Sequence, residues 1–460
     1  MDTEYDVIVI GTGLKESVLS VLLSMSGRKV LVLDKNVYYG GESASLNLTN
    51  LYNRLAPGKQ PPQSFGHNRE WNVDLIPKFV LASGKLVKIL RLTKTSKYLE
   101  WKVLDGSYVY QYQKATFLTN TKYIHKVPAT EMEALSSPLM GFFEKTRCHN
   151  FYKYIANFDE NDEETWKGLN PFVDPMNMFY KSYGLEDSTI AFLGHAVALH
   201  TTDDYLNEPG IITIKKIKLY MNSLIRFGDS PFIYPIYGLG GLPEAFSRRC
   251  AIHGGVHMLN KRVKSFLFDE MGKVSGITTT DGETGRCKMV VTDPGNYLEI
   301  AAATNISAKD RLKKIGQVCR FIAILNHPIP GTSDASSCQI IIPQKELNRK
   351  HDVYITLVSS SHGVSAKGKY VSIISTTVET SNPQKEIKPA LNLLGTIEDS
   401  FFILSDIYVP TDAVNSDNIF ISSSYDATSH FETASDDILK MWRQITGRQL
   451  DLEIDSDDSD

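Results

Sequence analysis

The chain has little of what several common protein classes require. Its five cysteines, Cys148, Cys250, Cys287, Cys319 and Cys338, are odd in number, widely spaced and without a C-x-x-C pair. That excludes a disulfide framework or a zinc ribbon and leaves reduced thiols. Neither sign of charge dominates: the net charge is −4 over 460 residues, which gives no reason to expect a nucleic-acid partner. No apolar run approaches the roughly 20 residues that span a bilayer. Asp2, Glu4 and Asp6 stand where a secretion signal would be basic and apolar. A cytoplasmic protein is expected. A catalytic set is also missing. Gly238-Leu239-Gly240-Gly241-Leu242-Pro243 lacks the Gly-Lys-Ser/Thr ending of a P-loop, and Ser17, Ser20 and Ser422 to Ser424 lie in no nucleophile elbow. His195 and His200 stand near Asp203 and Asp204 but follow no recognised ligand order, so no metal site is expected.

What is present begins at once. Asp6-Val7-Ile8-Val9-Ile10-Gly11-Thr12-Gly13-Leu14-Lys15-Glu16 has the apolar strand and the first two glycines of a dinucleotide-binding turn, with Glu16 in place of the third glycine. In a working turn the glycines let backbone amides close on a pyrophosphate at a helix N-terminus. Glu16 adds bulk there and a negative charge beside the expected phosphate. The rest of the unit is intact. Ser17 to Gly27 reads as a helix, Lys29 to Asp34 as a second buried strand, and Asp34 stands where such folds place the ribose-binding acid. Tyr38-Tyr39-Gly40-Gly41-Glu42-Ser43 then resembles the GG segment of flavin amine-oxidase-type enzymes, with Glu42 where an arginine usually faces the pyrophosphate. Two acids at one phosphate site argue against a bound flavin or nicotinamide cofactor. The plainer alternative is that both turn outward to solvent. No cofactor is expected.

Further along, a loop rich in Pro, Gly and Gln runs from Ala56 to Asn68, a hairpin is expected around Gly106, and Gln111 to Lys122 reads as a lengthened hairpin loop. Helical spacing marks Ala129 to Leu135, Leu139 to Ile155, Pro175 to Tyr183, Asp187 to Leu199 and Ile211 to Phe227. Strand patterns return at Val263 to Thr279, Cys287 to Asp293, Arg320 to Leu325, Gln339 to Ile342, Val353 to Val358, Tyr370 to Thr377 and Ile419 to Ser422. The expected fold is α/β: an FAD/NAD(P)-binding-like, multi-sheet domain (1–127 plus 221–445) with an inserted all-helical domain (128–220). Residues 446–460 form an acidic tail.

Collinear segments make the resemblance specific. Leu139 to Lys145, Ala156 to Asp162, Gly194 to Leu199, Thr202 to Leu206, Ser230 to Pro235, Ser337 to Pro343 and Ser424 to Glu432 join the N-terminal motifs. The chain resembles the Rab GDP dissociation inhibitors of the GDI and Rab escort protein superfamily over nearly its whole length. The resemblance implies a flavoprotein-like scaffold without redox chemistry that holds prenylated, GDP-bound Rab GTPases in the cytosol, as a monomer with transient membrane contact. An escort protein presenting Rabs to a prenyltransferase is the nearer alternative, and a working flavin oxidoreductase the more distant one. Escort proteins are generally longer.

The resemblance also implies sites. The Rab-binding platform matches Tyr39, Gly241, Arg248, His257 and Met258, with Gly241 and His257 replacing the family's glutamate and tyrosine. A mobile effector loop with exposed aromatics matches Arg226, Ser230, Phe232 and Tyr234. The geranylgeranyl pocket is expected among Leu139, Phe142, Phe143, Phe151, Ile190, Phe192 and Leu193, for which ordinary helix core is the competing reading. The Rab C-terminus is expected along Trp101, Val103, Tyr108 and Val109.

Overall fold

Residues 4–111, 124–129, 132, 133, 139, 141–304, 311–411 and 417–453 are described by a computed structural model, with the main chain alone at Phe142. Most of the helix expected over Ala129 to Leu135, most of the insert at 111–122 and the last seven residues of the acidic tail, 454–460, lie outside these residues.

Two seven-stranded sheets organise the chain. In the first, Val256–Met258, Val30–Leu33, Glu4–Ile10 and Thr284–Thr292 run parallel in that order, with Ile419–Ile421 parallel to the far end of Thr284–Thr292. Val263–Phe268 and Val274–Thr279 extend it as an antiparallel ribbon. Parallel strands buried on both faces read as unbroken apolar runs. Val7, Val9, Val30 and Val32 pack on one side against the Leu14–Met25 helix, while Ile8, Ile10, Leu31 and Leu33 pack on the other with Tyr297 and Ile300 of the Pro294–Thr304 helix. The Gly241–Ile252 helix lies beside the first helix, with the Ser17 and Ser247 hydroxyls 3.4 Å apart. The Glu432–Thr446 helix is fastened to it by Lys15, whose Nζ is 2.7 Å from the Asp437 carboxylate.

The second sheet runs Asp399–Pro410, Leu312–Leu325, Tyr370–Thr377, Val353–Ser359, Cys338–Ile342, Gly106–Tyr110, Ile124–Lys126, antiparallel except where Cys338–Ile342 meets Gly106–Tyr110. The hairpin expected around Gly106 does not form. Trp101–Val103 pairs instead with Phe232–Pro235 in a separate three-stranded sheet, while Gly106–Tyr110 enters the large one. Each strand finds a buried partner far along the chain instead of its neighbour across the turn. The strand–insert–strand reading that follows holds, since Tyr108 pairs with Lys126 and Tyr110 with Ile124.

Between Lys126 and Phe232 the described elements are helical: Phe142–Asn157, Met176–Ser182, Asp187–Ala191 running into a π-turn at Phe192–Val197, and Gly210–Phe227. The first helix begins at Leu14, three residues earlier than expected, directly after Gly13.

Candidate functional site

The parallel strands of the first sheet deliver their carboxyl ends to one crevice, the place where doubly wound folds bind nucleotides. Here the crevice is filled by the chain. Gly11 adopts φ 105°, a conformation that suits glycine. Thr12 donates its backbone N–H at 2.8 Å and its hydroxyl at 2.5 Å to one oxygen of Asp34, and the other oxygen accepts from the backbone and side chain of Asn36. Asp34 is therefore spent on its own loop rather than free for a ribose. Glu16 is buried and turned back over the turn: a Cβ placed on Gly13 would meet its Oε2 at 2.6 Å. Its Oε1 accepts from the Ser422 hydroxyl at 2.8 Å. Burial, then the neighbouring Asp293 carboxyl, pushes Glu16 from 4.5 up to about 7. Gly41–Ser43 closes the top, with Gly41 packed on Gly13.

Of the two acids, then, only Glu42 turns to solvent. Glu16 occupies the ground that a pyrophosphate would need. Asp293 adds a second carboxyl at the same spot, within 2.9 Å of a Cβ built on Gly11. These residues do not fit a dinucleotide.

Beside this closed crevice, four of the five platform residues gather on one face. The Tyr39 and His257 rings meet edge to face at 5.9 Å. Burial lowers His257 to about 4, so the ring is neutral near pH 7. Tyr39 also feels Glu244 and Cys250 of the Gly241–Ile252 helix, which carries Gly241 at its start and Arg248 on its exposed side. The Arg248 guanidinium rests 4.6 Å over the Tyr98 ring. Strand alternation sends Met258 to the opposite face from His257, where it packs on the core with Leu31 and Leu33. Met258 is a packing residue in this structure.

The turn leading into the platform helix is held by groups that spacing alone did not reveal. Asp74, buried, accepts from the hydroxyls of Ser45 and Tyr234 and from the backbone of Leu239, while Ser45 accepts from the Gly240 backbone at 2.8 Å. Burial raises Asp74 to about 6.

That network corrects the effector-loop expectation. Ser230, Phe232 and Tyr234 are buried, Phe232 completely, and Phe232–Pro235 is the central strand of the small sheet. Edge pairing on both sides removes them from the surface. The exposed stretch is one turn earlier: Ile225, 79% exposed, Arg226, Phe227, Gly228 and Asp229. Arg226 reaches back to the Ala82 carbonyl at 2.8 Å.

The pocket candidates divide as well. Leu139, Phe151, Phe192 and Leu193 are buried and Ile190 is half-buried against the same core. Phe143 is 77% exposed. On the Phe142–Asn157 helix the buried face is Glu144, Cys148, Phe151 and Ile155, and Phe143 falls off that stripe. Phe151 is packed among Tyr154, Tyr180 and Tyr183 at ring distances of 5.3–6.2 Å. Leu139 and Phe192 instead line a small cleft with Val109, Tyr110, Thr189 and Pro343, about 40 Å³ in volume. In the groove, Trp101 and Val103 are half-buried, whereas Tyr108 belongs to the core beneath the second sheet and donates its hydroxyl to the Thr332 carbonyl at 2.6 Å.

His195 and Asp203 do meet, but as a hydrogen-bonded pair. His200 turns away to Thr213 and stacks on Tyr205 at 4.1 Å. Among the described residues no three metal-ligating side chains form a cluster.

The fold resembles that of an oxidoreductase from Methanosarcina mazei, at a TM-score of 0.60 and 14% identity over 95% of this chain and all of that one. With that fold and a nucleotide crevice filled from within, the chain has an oxidoreductase-like α/β scaffold whose own residues leave no room for a dinucleotide. The model of the family described as GDI: GDP dissociation inhibitor matches residues 1–457, and the chain belongs to that family. It is 50% identical to Rab GDP dissociation inhibitor beta of Rattus norvegicus, over 98% of this chain and 97% of that protein. It is 56% identical to the solved Rab GDI from Plasmodium falciparum, at a TM-score of 0.93 over 98% of this chain and all of that one. A member of this family is a regulatory protein rather than an enzyme.

Proposed function

We propose that the chain is a Rab GDP dissociation inhibitor: it binds GDP-bound, prenylated Rab GTPases, slows GDP release, withdraws them from membranes and keeps them soluble in the cytosol. Family membership supports the Rab partner. The single observation that best supports the site is the meeting of Tyr39, His257, Gly241 and the exposed Arg248 on one face. Such a face suits recognition of switch regions, whose order changes with the γ-phosphate.

The partner's lipid tail sets the second requirement. A prenyl chain of about 20 carbons gains roughly 0.8 kcal/mol per buried methylene, so a soluble carrier needs an apolar enclosure of matching length. We assign it to the helical segment 128–220, inserted into an α/β domain made of 1–127 and 221–445, with the carrier acting as a monomer. The 40 Å³ cleft has room for only a few waters, so the enclosure forms only when its helical and sheet walls part. Val109 of the proposed groove and Leu139 and Phe192 of the proposed pocket share that cleft, which supports a path from one to the other. No described helix is long and apolar enough to cross a membrane, and membrane contact is assigned to the exposed Ile225 and Phe227.

The test is extraction: purified protein is mixed with liposomes carrying prenylated Rab, and the soluble Rab is measured after sedimentation. Extraction of the GDP-loaded form supports the reading. Support of lipid transfer to unprenylated Rab by added geranylgeranyl transferase would favour the escort protein instead.

A further inference from the structure

The two walls of the cleft beside Phe192 are fastened together by a buried imidazole. His195 lies in the π-turn Phe192–Val197, a geometry frequent at functional positions. Its Nδ1 is 2.8 Å from the Asp352 carboxylate and 3.1 Å from the His200 carbonyl, and its Nε2 is 3.1 Å from the Asp203 carboxylate. Only the doubly protonated ring donates from both nitrogens. Burial works against that charge, but the hydrogen bonds to Asp203 and Asp352 outweigh it and raise His195 to about 9.

The far side of this contact is the other wall. Asp352 is fully buried, and its second oxygen accepts the Gln344 N–H at 2.8 Å. Gln344 opens the short Gln344–Leu347 turn, which carries Glu346 and follows Pro343, both of them lining the cleft opposite Thr189 and Phe192. Lys345 of the same turn reaches Asp203 at 3.2 Å. One imidazolium thus joins the π-turn on the helical wall to the turn on the sheet wall.

We propose that His195 is a latch on lipid entry: its links to Asp352 and Asp203 hold the cleft shut, and the walls part for a prenyl chain only when those links stretch. The proposal rests on the assignment of the lipid site to the helical segment. His195 acts as a positioning residue, since it need not touch the lipid. The charged and titratable groups that face it are Asp352, Asp203, Lys345 beyond Asp203, Tyr205 at 6.3 Å between ring centres, and His200 through its carbonyl. The His200 ring is held neutral by burial and by Lys216, so it adds no competing charge near pH 7.

The experiment uses the full chain and a fluorescent geranylgeranylated peptide, with uptake rates measured at pH 7 and 9.5. His195→Gln keeps a neutral polar group but cannot bind both carboxylates as a cation. It should take up the peptide faster at pH 7 by about tenfold, the scale of losing one charge-assisted hydrogen bond. The parent should accelerate between pH 7 and 9.5 as His195 loses its proton, while the variant stays nearly flat. Lys345→Ala, at an exposed position, should give a smaller acceleration, and it carries the test if His195→Gln does not fold. Equal rates in parent and folded variants, or the same pH response in both, would overturn the latch. No uptake by the parent at either pH would overturn the lipid-carrier assignment itself, and the latch with it.

Discussion

Replacing Glu16 by Gln tests whether the old nucleotide crevice is sealed by a buried carboxyl. The folded protein holds Glu16 at about 7, against 4.5 for an ordinary glutamate, because of burial and then Asp293. The folded state therefore keeps a proton that the unfolded chain releases between those values. Stability from this group is greatest below pH 4.5, falls as pH rises to about 7 and is flat above it. At 1.36 kcal/mol per unit, the whole fall is about 3 kcal/mol, of which about 2–3 kcal/mol lies between pH 5 and 8. Gln mimics the protonated side chain and can still accept from Ser422, so the variant escapes the fall. Asp293, also raised by burial, titrates more easily once its neighbour is uncharged, which acts in the same direction. Urea unfolding of both proteins at pH 5 and pH 8 measures this. Near-equal stability at pH 5 and a variant more stable by about 2–3 kcal/mol at pH 8 are expected. A variant that tracks the parent at both pH values would show that Glu16 is not buried and protonated as described.

Three further outcomes follow from the placement of individual residues. Arg248→Ala should weaken Rab binding by about 1–3 kcal/mol with no change in melting temperature, since the arginine is exposed; a titration with prenylated, GDP-loaded Rab reads it. Gly241→Glu should fold normally, because Gly241 is outside the positive-φ glycines and a Cβ there meets only Leu99 at 3.4 Å, and it should strengthen binding to Rabs whose facing surface is basic. Unchanged affinity across such Rabs would exclude that carboxylate from the contact. Phe232→Ala should cost about 3–5 kcal/mol of stability, as for a core aromatic, whereas Ile225→Ala should leave stability within about 0.5 kcal/mol and reduce extraction from liposomes. The reverse pattern would return Phe232 to the surface.

The elements most visible in the sequence were those fixed by local pattern. Apolar runs marked four of the five parallel strands, all but the short edge strand Val256–Met258, and the Gly11–Glu16 turn marked the crevice they end in. The misplaced features depend on partners far along the chain. Trp101–Val103 looked like half of a hairpin because its real partner, Phe232–Pro235, lies well over a hundred residues on. The aromatics of that partner looked exposed because Pro and Gly surround them, yet pairing on both edges and the Asp74 network bury them. Asp399–Pro410 and Glu432–Thr446 went unmarked, the first a half-exposed strand supported along its length by Leu312–Leu325, the second an amphipathic helix that buries Ile438, Met441, Trp442 and Ile445 in the core and is fastened by Lys15. At the site, resemblance supplied Tyr39, Arg248 and His257, and only the fold showed that Met258 faces the other way.

The central claim is that this scaffold carries GDP-bound, prenylated Rab in solution. Sedimentation of liposomes bearing prenylated Rab, loaded with GDP or with a non-hydrolysable GTP analogue, tests it most directly. The account predicts that the protein moves the GDP-loaded Rab into the soluble fraction and leaves the GTP-analogue form on the membrane. Equal extraction of both forms, or of neither, would contradict it.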